Sequence, residues 1–188
     1  MSGHTEVDEA YFGGRAEFMH EAKKRRLPLG GPNGAKATVF GLLERTNDQR
    51  VSRVRATVIK DANKRTIHGA IHASVEPGSR LSTDSMGSYK GLDRHFIHEA
   101  VNHRAQEYVR GTVHTNGIEN FWSLLKRSVK GTYVSVEPFH LQRYVEEQVF
   151  RFNERKDDDG GRFKKVLGSV TGKRLTYKDL INHASFVW

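Results

Sequence analysis

Residues 37–59 read ATVFGLLERTNDQRVSRVRATVI. Two β-rich runs, 37–45 and 50–59, flank Thr46-Asn47-Asp48-Gln49, a polar stretch suited to a hairpin turn. Upstream, residues 4–12 (HTEVDEAYF) predict another strand, ended by Gly13-Gly14. Downstream the pattern changes. Asn63 stands where it caps a helix to about Ser74, with Ile67, Ala70 and Ile71 at helical spacing. Residues 79–84 (SRLSTD) predict a short strand running into Asp84, 86–92 a short helix, and 96–101 (FIHEAV) a further strand. Turns join the first three strands, which predicts antiparallel pairing; helices separate the next two, which predicts parallel pairing. The chain is therefore read as α/β, with a mixed five-stranded sheet flanked by helices.

Two long helices follow. Residues 117–130 (GIENFWSLLKRSVK) put Ile118, Phe121, Trp122 and Leu125 on one face, and Gly131 is expected to stop the helix. Residues 138–155 open with Pro138 and carry a stripe of Leu141, Tyr144, Val145, Gln148, Val149 and Phe152. The run KDDDGGR at 156–162 reads as a turn or linker, which divides a domain at 1–156 from a short helical extension at 157–188. Residues 15–36, with Lys23-Lys24-Arg25-Arg26 and then LPLGGPNGAK, read as a basic loop.

Composition narrows the class. The 188 residues carry 31 Lys+Arg against 22 Asp+Glu, a net charge of +9, which points toward a polyanionic partner. No apolar run is long enough for a membrane span, and the N-terminus lacks a secretory layout. Cysteine is absent, which excludes disulfides, thiol nucleophiles and Cys-based zinc sites. A cytoplasmic, nucleoid-associated protein is expected.

Three acidic residues sit at element ends. Asp8 lies in the first strand, Asp84 ends the fourth, and Glu119 lies in the first turn of a long helix. Carboxylates gathered at one sheet edge repel one another, and a hard divalent cation relieves that repulsion. Each also has a plainer reading: Glu119 complements the helix dipole, and Asp84 caps a turn. Lys126 follows Glu119 by seven residues, two helical turns on the same face.

The surrounding words are more specific. VDEAYFGG at 7–14, TDSMGSY at 83–89, VNH at 101–103, HTNGIENFWSLLKR at 114–127, GTY at 131–133, HLQRY at 140–144 and FRFNER at 150–155 occur in order. Together they resemble the DDE-type insertion-sequence transposases of the ISXO-type group over about residues 5–156. The resemblance implies a ribonuclease-H-like catalytic domain in which Asp8, Asp84 and Glu119 hold two Mg²⁺ (or Mn²⁺) ions. It implies cleavage of double-stranded DNA at transposon ends, transfer of the resulting 3′-hydroxyl into target DNA, and a homodimer or larger assembly on DNA. Two alternatives stay open: a metal-dependent nuclease of this fold without joining activity, and a catalytically silent DNA-binding relic.

Lys126, Arg127 and Lys130 are expected to contact phosphates near the site, and Lys23, Lys24, Arg25 and Arg26 to grip flanking DNA or form a solvated loop. Asn116 is read as a helix cap or as a residue orienting a ligand. His114 and His103 are read as structural hydrogen-bonders, or as reaching phosphate or the groups that surround the metal. Trp122 is read as helix packing. Two departures from the group stand out. Its members usually carry an N-terminal recognition module, whereas this sequence starts just before the first strand, and Val134 stands where a His often follows GTY.

Overall fold

The computed structural model describes residues 1–13, 36–46, 51–101, 113–133, 136 and 138–181. Strands β1 (Thr5–Phe12), β2 (Ala37–Glu44), β3 (Arg53–Ile59), β4 (Arg80–Asp84) and β5 (Ile97–Val101) form one sheet in the order β3-β2-β1-β4-β5. β1 pairs antiparallel with β2, and β2 with β3; β1 pairs parallel with β4, and β4 with β5. This is the expected mixed sheet, consistent with a ribonuclease-H-like fold.

Helix α1 (Lys64–Ser74) starts where Asn63 accepts a hydrogen bond from the Thr66 amide. It covers one face of the sheet, where Ile67 and Ile71 pack with Val7, Phe40, Leu42 and Leu81. The segment after β4 forms two short 3₁₀ turns, Gly87–Tyr89 and Leu92–Arg94, rather than one helix. Left-handed Gly91, at φ 91°, separates them, a conformation that continues no right-handed helix.

Helices α2 (Asn116–Arg127) and α3 (Leu141–Asn153) cover the other face. Ile118, Phe121, Trp122 and Leu125 of α2 and Leu141, Val145 and Phe152 of α3 pack on Ala10, Val39, Leu43, Val54 and Val58. Gly131 does not stop the chain's winding: α2 runs into a wider π-type turn, Ser128–Thr132. Pro138–His140 is a 3₁₀ turn leading into α3.

The reading of 156–162 as a turn or linker holds over 156–158 and is corrected from 159 on. Helix α4 (Asp159–Val170) starts inside it. Asp158 accepts from the Gly161 amide at 2.6 Å, and Arg162 reaches back to the Asp157 carbonyl and the Asp159 carboxylate. This capping outweighs the low helix propensity of Gly160-Gly161. A short helix α5 (Tyr177–Ile181) follows, and neither α4 nor α5 buries a residue. No described helix is long and apolar enough to cross a membrane.

Candidate active site

The site is built on β1. Side chains alternate along a strand, so Glu6 and Asp8 share one face while Val7 and Glu9 share the other. Glu6 is 1% exposed, and its Oε2 accepts the Ile118 amide at 2.9 Å. A strand carboxylate thus satisfies an open amide at the start of α2 and complements its dipole. Glu6 Oε1 takes the Arg45 Nε at 2.7 Å, and His114 Nδ1 stands 3.4 Å away. A Cβ on Gly117 would meet Glu6 Oε2 at 2.9 Å, so this close approach depends on glycine.

One turn along α2, Trp122 packs against Gly41 of β2. A Cβ on Gly41 would stand 2.6 Å from the indole ring. From this seat Trp122 Nε1 donates to Asp8 Oδ2 at 3.0 Å. The parallel register pairs Glu6 with Ser82; continued by two residues, it brings Asp8 beside Asp84. Glu119 stands in the first turn of α2 with its side chain exposed.

Asp84 and Glu119 each lie within electrostatic reach of Asp8. Burial pushes the Asp8 carboxyl up to about 7, and the charges of Asp84 and Glu119 add to the rise. The Glu9 backbone and the Trp122 indole work in the opposite direction. Each carboxylate also accepts a hydrogen bond from its own chain. Besides Trp122 on Asp8, the Met86 amide donates to Asp84 Oδ1 at 2.9 Å, and the Thr115 hydroxyl to Glu119 Oε1 at 2.7 Å. The donor set is hard oxygen, which fits a Mg²⁺-type ion in chemistry. Among the described residues, no three His, Asp or Glu side chains are yet close enough to form a ligand cage.

On the opposite face, Glu9 is 8% exposed and is pushed up to about 8, chiefly by burial and then by Asp8 and Asp84. The Tyr89 hydroxyl lies beside it and lowers that value, yet neither group completes a hydrogen bond of regular geometry.

The remaining sequence expectations divide. Lys126 and Arg127 are exposed at the end of α2 and Lys130 in the π-type turn that follows, with Lys126 about 10 Å along the axis from Glu119. Asn116 is not the cap: it is the first helical residue, and Thr115 holds the cap position. The Thr115 hydroxyl turns to Glu119 instead, and Glu6 takes the Ile118 amide. His114 stands against Glu6, and its carbonyl accepts from Arg45 Nη2 at 2.8 Å. Lys23, Lys24, Arg25, Arg26, His103 and Val134 lie outside the described residues.

Sequence reading missed Trp122 as a partner of Asp8 and Glu6 as the anchor of α2. The only signal was the spacing Glu6-x-Asp8, which puts both on one strand face. Neither the curated proteins nor the solved structures give a match to this chain. The ISXO2-like transposase domain matches residues 1–153, which include all five strands, α1, α2 and α3. With its sheet order and most of its length accounted for, the chain belongs to the DDE-type insertion-sequence transposases of the ISXO2 group.

Proposed function

We propose that this domain cleaves DNA at transposon ends and transfers the new 3′-hydroxyl into target DNA, with Asp8, Asp84 and Glu119 holding two Mg²⁺ or Mn²⁺ ions. Family membership carries transposase function and DNA as partner. One observation supports the finer reading: the proton affinity of Asp8 is raised by burial and by two carboxylates from other elements, Asp84 and Glu119. Repulsion of this kind is what a bound cation relieves. When bound, such ions would activate a water or 3′-hydroxyl and stabilise the leaving oxygen of the phosphodiester.

The chain's own residues do the rest. Asp8 would have to give up its proton to hold a cation, so cation affinity should strengthen as pH rises through about 7. Trp122, the Met86 amide and the Thr115 hydroxyl each help to orient one carboxylate. Lys126, Arg127 and Lys130 hold phosphates along α2. Assembly as a homodimer or larger complex on DNA is part of the same proposal.

The test is nicking of supercoiled plasmid and joining of a 3′-hydroxyl oligonucleotide, in Mg²⁺ or Mn²⁺, by the wild type and Asp84→Asn. The variant should lose cleavage and keep DNA binding. Normal cleavage by the variant removes the assignment. Cleavage by the wild type without joined products identifies a nuclease, and an inert wild type identifies a DNA-binding relic.

A further inference from the structure

A cavity of about 430 Å³ opens between the start of α2 and the end of α3, on the same sheet face as Asp8. Its size falls within the range of small-molecule sites. Its floor is apolar, built from Leu43, Leu124 and Phe152. Its wall holds three arginines, Arg45, Arg151 and Arg155, against one acidic residue, Glu6. Glu6 is already committed to Arg45 and to the Ile118 amide.

The two outer arginines are held in place by the chain. Glu147 Oε1 accepts from Arg151 Nε and Nη2 at 3.0 and 2.8 Å. Arg155 donates to the Ser52 carbonyl and hydroxyl and to the Phe152 carbonyl, and its guanidinium lies 4.2 Å over the Phe152 ring. A guanidinium plate backed by an aromatic ring is a surface on which nucleic-acid bases stack. Asn120, also on the wall, offers both a donor and an acceptor at the mouth.

A phosphate alone would need the arginines and no apolar floor. A purely apolar ligand would make no use of the positive charge that Arg155 adds to the pairs Arg45–Glu6 and Arg151–Glu147. A unit with one anionic end and one flat apolar body uses both.

We propose that this groove binds one unstacked nucleotide, its phosphate against Arg151 and Arg155 and its base over Leu124 and the Arg155–Phe152 stack. The occupant is a nucleotide displaced from bound DNA or a free mononucleotide. The proposal rests on the DNA binding that family membership carries; the carboxylate assignment is not needed.

The experiment is therefore run in EDTA, where cleavage plays no part. Fluorescence anisotropy compares a perfect duplex with the same duplex carrying one bulged nucleotide. A parallel melt measures stabilisation by dAMP alone. If DNA supplies the nucleotide, the wild type should bind the bulged duplex about tenfold more tightly. Arg151→Gln, at an exposed position, should lose most of that preference and keep its affinity for the perfect duplex. Leu124→Trp, which fills the groove, should lose it entirely. If free nucleotides are the ligand, dAMP should raise the melting temperature of the wild type and not of Arg151→Gln, with no preference for the bulge. Absence of both effects in the wild type, or either effect undiminished in Arg151→Gln, overturns the proposal.

Discussion

Asp8 and Glu9 are neighbours in sequence and face opposite sides of the sheet, and burial raises the proton affinity of both, to about 7 and about 8. The sign of the consequence is fixed. Between the ordinary Glu value of 4.5 and about 8, the folded chain keeps a proton at Glu9 that the unfolded chain has lost. Stability contributed by this group is full below 4.5 and falls as pH rises through that window. Urea melts in EDTA at pH 5, 6.5 and 8 should show falling midpoints, with a shallower decline in Glu9→Gln.

Trp122 makes a second claim at this scale. Trp122→Phe keeps most of the packing and removes the N–H on Asp8. Cation-dependent cleavage should fall about 10- to 100-fold, in line with losses of groups that orient metal ligands. The Mn²⁺ affinity, read by calorimetry, should weaken in step. Unchanged affinity would make Trp122 packing alone. The apolar stripe Ile118, Phe121, Trp122, Leu125 already placed the indole on the buried face of a helix. Its bond to Asp8 was not legible, because it spans 114 residues of sequence and depends on how α2 lands on β1.

Among the elements, α2 shows how a helix is set by the sheet beneath it. Glu6 satisfies its first turn and Gly41 makes room for its second. Gly41→Ala would force the indole off the sheet, because a Cβ there would stand 2.6 Å from the ring. Overpacking of this kind costs about 1–3 kcal/mol. The urea midpoint should drop accordingly, and the Trp fluorescence should change as the bond to Asp8 is lost. An alanine variant as stable as wild type would show that the ring has another seat.

The hydrophobic pattern located the strands and α1 because their periods are local. Expectations failed where a side chain supplied what the backbone pattern withheld. Asp158 starts a helix through two glycines, and Thr115 and Glu6 displace Asn116 from the role of cap.

For the whole molecule, strand direction was legible from connection type, whereas the order β3-β2-β1-β4-β5 was not. β4 and β5 pair parallel as expected, although the segment between them holds two 3₁₀ turns and not the expected helix. The division into 1–156 and an extension remains a proposal with a direct test. The described ties of α4 to the preceding chain are local: Lys165 to Glu154 and Asp157, and Arg162 to the Glu154 and Asp157 carbonyls. A chain ended at Lys156 should therefore melt within about 3 °C of the full chain, because no apolar residue of α4 or α5 is buried. A larger drop would make the extension part of the folding unit.

Glu6 and Asp8 are alternate residues of the central strand, about 7 Å apart on one face. One borders the arginine-walled groove and the other the carboxylates. β1 is flanked on both sides by paired strands, so that interval cannot stretch. Should both sites act as proposed, the strand would serve as a ruler: a nucleotide seated at one mark would set which phosphate reaches the other.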